Sequence, residues 1–105
     1  MAKTFEIVTF RLKEGVSQQG FVEETMTMER DFLGKLKGFV DRDTGITDDG
    51  EVAVVLHWQS AEDAQSSIDK FVNAEGTKAF TAMIQMETFK MRRFTLTDHY
   101  DLLTG

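Results

Sequence analysis

The sequence predicts an α+β domain of order β-α-β-β-α-β, the split βαβ arrangement of a ferredoxin-like fold with a four-stranded antiparallel sheet. Three observations predict it. The stretch EVAVVLHW is apolar on both faces, with Val52, Val54, Leu56 and Trp58 on one side and Ala53 and Val55 on the other. A strand buried on both sides lies inside a sheet. Asp48-Asp49-Gly50 is a strong turn signal that joins this strand to the one before it. Ser60, with Asp63 three residues on, then opens a helix with capping-box spacing.

The elements follow in order. Thr4–Leu12 alternates as a strand, with Phe5, Ile7 and Thr9 on one face and Glu6, Val8, Phe10 and Leu12 on the other. Gly15 turns the chain, and Ser17 is an N-cap for a helix expected to run to about Leu36, where Gly38 closes it. Phe21, Val22, Thr25, Phe32, Leu33 and Leu36 share one face of that helix. Phe39–Ile46 is the second strand. The second helix carries Ala61, Ala64, Ile68, Phe71 and Val72 on one stripe and is interrupted at 73–76. A short helix presenting Ala79, Phe80, Met83 and Ile84 comes next, and Thr88–Leu96 is the last strand. Residues 1–97 thus form one domain, and 98–105 a C-terminal tail. The first and third strands are expected in the centre, with both helices on one face. The other face is still apolar, and pairing two such sheets about a two-fold axis is the simplest way to cover it. A homodimer through the sheet face is therefore expected.

Composition excludes several function classes. The chain has no Cys, so no disulfide framework or cysteine-based zinc site is possible. Its net charge of −6 disfavours nucleic acid as a partner. The longest apolar run, Val52–Leu56, is far too short to cross a membrane, and the N-terminus reads as a strand rather than a signal peptide. A cytoplasmic location with no membrane partner is expected. DRDTGITDDGEV begins like a calcium loop. It then has Gly45 where a ligand belongs, Ile46 where Gly belongs and Val52 where the bidentate Glu belongs. Motifs of the HExxH, GxGxxG, P-loop and GxSxG types are absent. Two His residues with no Cys argue against a catalytic zinc site, so no metal is expected.

The VTFRL strand with Gly15-Val16-Ser17, the Gly38-Phe39-Val40 start, LHWQSAEDA, the Ala79-Phe80 helix and FKMRRFTL together resemble the dimeric α+β barrel superfamily. Within it they are most similar to antibiotic-biosynthesis monooxygenase-like proteins. The resemblance covers about residues 5–96. It implies a homodimer with a pocket in each protomer between sheet and helices. It also implies either a small cofactor-independent monooxygenase acting on an aromatic or polyketide-like molecule, or a non-catalytic ligand-binding or scaffold homodimer. Haem-degrading members carry a His early in the second helix. Ser67 and Ile68 stand there in this chain, against that activity.

The candidate site residues each have a plainer reading. Trp58 matches the Trp in the family's pocket wall, where it would stack on a planar substrate, but it also suits the core. His57 falls on the opposite face of a regular strand and is a general base or an interface residue. Glu29 sits in the middle of the first helix's apolar stripe, about 80° round from Phe21. It is either a polar handle in the pocket or one half of an ion pair with Arg11, Arg92 or Arg93. Thr9 and Arg92 are polar residues among apolar neighbours and line either the pocket or the barrel interior. Phe80, Met83, Met28 and Met26 shape an apolar cavity or fill the core. The catalytic set expected is Trp58, Glu29 and Arg92, with Thr9, Met28, Phe80, Met83 and His57 binding substrate and no cofactor required.

Overall fold

A computed structural model describes residues 3–100. Four strands, β1 (Thr4–Leu12), β2 (Phe39–Ile46), β3 (Glu51–Trp58) and β4 (Ile84–Thr95), form one antiparallel sheet of order β2-β3-β1-β4. Helices α1 (Gln18–Asp31), α2 (Ala61–Phe71) and the short α3 (Lys78–Ala82) complete the βαββαβ plan. β1 and β3 are central, as the two-sided apolar pattern requires.

The register fixes what each face carries. Thr4 pairs with Trp58, Glu6 with Leu56, Val8 with Val54 and Phe10 with Val52. These pairs face the helices, and all but the partly covered Leu56 are buried. Phe5, Ile7 and Thr9, opposite His57, Val55 and Ala53, lie on the outer face, which no helix of the described residues covers. Phe10 centres the core, meeting Phe21 edge-on at 5.7 Å and Phe80 edge-on at 6.0 Å. Such aromatic pairs add to the stabilisation from buried area alone.

Local chemistry sets the element ends. Ser17 caps α1 by accepting the Gly20 N–H at 3.0 Å, and Ser60 caps α2 by accepting the Asp63 N–H at 3.1 Å. Gly38 has φ of +83° between α1 and β2, and a Cβ there would lie 2.0 Å from Asp63 Oδ2. Only glycine meets both conditions.

Two boundaries and the burial pattern of α2 differ from expectation. α1 stops at Asp31 instead of continuing to Leu36. Phe32 leaves helical geometry at φ −127°, and Leu33–Lys35 forms a single 3-10 turn. This break lets Phe32 and Leu33 both be buried. β4 begins at Ile84 rather than Thr88. Ile84 pairs with Leu12 and is a buried strand residue, not the end of a helix. A register shift between Thr9 and Arg11 separates this first part of β4 from the rest, and the Arg11 N–H is taken by Thr88 Oγ1 at 2.8 Å. The bulge hides the strand's alternation. On α2 the buried positions are Ala64 and Ser67, while Ala61 and Val72 are exposed. Residues 101–105 of the expected tail lie outside the described residues.

Candidate functional site

A cavity of about 660 Å³ lies between the sheet and the helices. That is within the range of small-molecule sites. Val8, Phe10, Val54 and Leu56 form its floor, and Met28, Leu33, Phe71 and Phe80 contribute from the helical layer. Met86, Phe89 and Met91 of β4 extend the apolar lining past the bulge and are themselves exposed.

One end carries the chemistry. Trp58 is 1% exposed and lines the cavity at the end of β3. Phe39 packs edge-on against its ring at 5.4 Å. Its indole Nε1–H donates to Glu6 Oε1 at 2.9 Å. Glu6 is 2% exposed and also lines the cavity. Its other oxygen, Oε2, accepts from Arg93 Nε at 3.0 Å, and Arg93 Nη2 lies equally close without the alignment of a hydrogen bond. Arg93 Nη1 in turn donates to Gln65 Oε1 on α2 at 3.0 Å. A buried carboxylate is tolerated only when such partners replace its water. The result is a fixed polar chain across β3, β1, β4 and α2 at one end of an apolar chamber.

Glu6 was missed by sequence reasoning. The signal was present, since Glu6 alternates with Val8, Phe10 and Leu12 on the face that turns out to lie beneath the helices. A carboxylate on a buried strand face is as informative as one on a helix stripe.

The residues singled out from sequence divide between two faces of the sheet. Trp58, Met28 and Phe80 meet in the cavity. Met83 packs against the core without lining the cavity. Glu29 is not among the lining residues. Its side chain is 45% exposed and forms an ion pair with Arg42, which is none of the three arginines expected. Arg42 does line the cavity. Arg92 and Thr9 pair with Ile7 and with Lys90 and Ala53 on the outer face, away from the cavity. The guanidinium of Arg92 sits 5.1 Å over the Phe94 ring. His57 is on that outer face too, with Nδ1 2.6 Å from Asp41 Oδ1 and its ring 6.0 Å from Phe5. The pattern places it opposite Trp58, as a regular strand demands. Ser67 and Ile68 of α2 both line the cavity.

Comparison with known proteins bears on the fold. No protein-family model matches the chain, and no curated protein matches it. Solved structures do. SnoaB, a cofactor-independent oxygenase from Streptomyces nogalater, superposes with a TM-score of 0.72 at 14% identity, over 94% of this chain and 97% of that one. A monooxygenase from the ActVA-Orf6 gene of Streptomyces coelicolor, in complex with the ligand nanaomycin D, gives 0.72 at 19% identity, over 94% and 91%. A dimeric ferredoxin-like protein from an uncultured marine organism gives 0.64 at 11% identity, over 96% and 93%. The chain therefore has a ferredoxin-like fold, and it shares that fold with these structures.

Proposed function

We propose that this chain is a cofactor-independent oxygenase acting on a flat, electron-rich aromatic molecule bound in the cavity. One observation carries the reading. A largely apolar chamber of about 660 Å³ has a single tryptophan in its wall and one buried carboxylate held against that tryptophan. The SnoaB and ActVA-Orf6 likenesses support it. Trp58 and Phe80 supply ring surfaces for a planar ligand. Glu6, rather than Glu29 or Arg92, is the acceptor for an acidic proton of the substrate. An anthrone-type substrate that loses this proton becomes a carbanion able to reduce O₂ by one electron. Recombination gives a peroxide, and loss of water leaves the quinone. In sum, anthrone and O₂ give anthraquinone and water. The apolar walls exclude water from the anion.

The competing reading, a non-catalytic ligand-binding protein, is favoured by one detail. Both Glu6 oxygens already accept hydrogen bonds. Oxygen uptake with anthrone separates the two readings. An oxygenase accelerates uptake over buffer, and Glu6→Gln reduces the acceleration by about a hundredfold, the low end for a general base. Saturable binding of anthrone with no added uptake leaves the binding reading.

The functional unit in this proposal is a homodimer joined through the outer sheet face. Phe5 and Phe94 stack there at 5.0 Å, with Ile7 exposed and Val55 partly exposed beside them. Such a patch on a central sheet favours a partner. A dimeric ferredoxin-like neighbour supports the same arrangement.

A further inference from the structure

The helix-facing row that contains Glu6 holds a second charged group. Arg42 on β2 pairs with Leu56, Leu56 with Glu6, and Glu6 with Arg93. Arg42 and Glu6 are thus two strands apart in one cross-strand row, about 10 Å between backbones. Both line the cavity.

Arg42 is unusual for an edge-strand arginine. Its side chain is only 10% exposed. One Nη meets Glu29, whose carboxylate is half in solvent, and the other meets Thr44. Its Nε is fully buried with no hydrogen-bond acceptor among the described residues. A buried donor without a partner is costly and rarely left so. Glu6 accepts from Trp58 and Arg93 and makes no hydrogen bond with Arg42. Arg42 thus brings a buried, incompletely partnered cationic group to the cavity wall, beside an apolar floor.

We infer that Arg42 is the anion-binding determinant of the cavity, selecting aromatic ligands that carry a negatively charged oxygen group. This rests on the reading that the cavity binds aromatic molecules, and it holds whether or not the chain is an enzyme. Guanidinium is suited to carboxylate, sulfonate or enolate oxygens, because its planar donors match their spacing. Low polarity around the site strengthens the attraction. The ligand's ring body lies over Val54, Leu56 and Val8, with its anionic group toward β2 and Trp58 at the far strand end. Glu29 competes for Arg42 as an internal anion, so removing its charge favours the ligand's anion.

Two probes of nearly one shape test this: anilinonaphthalene sulfonate, which is anionic, and N-phenylnaphthylamine, which is neutral. Trp58 is the only tryptophan, so quenching of its emission reports a probe close to the cavity. Wild-type protein is expected to bind the anionic probe about tenfold more tightly, the size of one charge-assisted hydrogen bond. Arg42→Met keeps the apolar stem and removes the preference. Glu29→Gln retains Arg42 and raises the preference above that of wild type, which keeps the test alive if Arg42→Met folds poorly. Equal affinity for both probes in the wild type, or a preference that survives Arg42→Met, overturns the role of Arg42 while leaving the cavity reading intact. Binding of neither probe removes the cavity reading and this inference with it.

Discussion

Replacing Glu6 with Gln tests whether the polar chain is a structural necessity of the cavity. The amide keeps an oxygen that can accept the Trp58 N–H, so that bond survives. What is lost is the charge facing Arg93, whose side chain is 26% exposed. Breaking a fully buried pair costs about 3–5 kcal/mol because the remaining charge is stranded. Partial exposure and the Gln65 contact let Arg93 recover some solvation, which reduces the expected loss to about 2 kcal/mol. For a domain of this size that lowers Tm by about 10 °C. Urea denaturation at fixed protein concentration measures it, since a dimer's stability depends on concentration. A cycle with Arg93→Met then isolates the pair. Glu6→Leu is expected to cost more, because Trp58 Nε1–H then also loses its acceptor. The reasoning is refuted if Glu6→Gln stays within about 0.5 kcal/mol of wild type, the scatter of neutral surface changes.

Other outcomes follow from the same structure. Gly38→Ala is expected to destabilise by at least about 2 kcal/mol, since it combines positive φ with a clash against Asp63. Asp63→Ala removes the Oδ2 and Cγ contacts but leaves its own Cβ 2.6 Å away and the positive φ untouched, so the double variant should remain below Asp63→Ala in stability. Ser60→Ala removes the α2 cap and should cost about 1 kcal/mol in the same denaturation assay. The Thr47 hydroxyl and the Arg11 guanidinium hold the Asp49 carboxyl below its ordinary value of 3.8. Its contribution to stability is therefore present above that value and lost as pH falls through the lowered one. Asp49→Asn should flatten the acid limb of the stability–pH curve without changing stability's slope near neutrality. Ile7→Asp places a charge in the outer sheet face and should convert the proposed dimer to monomer in sedimentation velocity. An unchanged sedimentation coefficient would move the interface elsewhere.

Much of the fold was legible because its signals are local. The two-sided apolar pattern of β3 identified a central strand. Ser17 and Ser60 were read as caps from their position before periodic segments, and both accept the expected N–H groups. The α1 break and the β4 start were not legible. Phe32 and Leu33 continue the helical period in sequence, yet the helix ends before them and both are buried. In β4 the bulge opposite Arg11 interrupts the alternation that marks a strand. The site was less legible than the fold because polar partners are chosen in three dimensions. Glu29 was read as an acid in need of an arginine, but the arginine that meets it comes from β2, thirteen residues on. Glu6 and Arg93 are 87 residues apart and meet only through the β1–β4 register. Arg92 and Arg93 are adjacent in sequence, and strand alternation sends one to each face of the sheet.

A crystal structure of the protein soaked with anthraquinone, the expected product, tests the central claim most directly. The account predicts the ring system between Trp58 and Phe80, with a quinone oxygen toward the row that carries Arg42 and Glu6. Density confined to the outer sheet face, or a side-chain-filled interior with no bound ring, would contradict it.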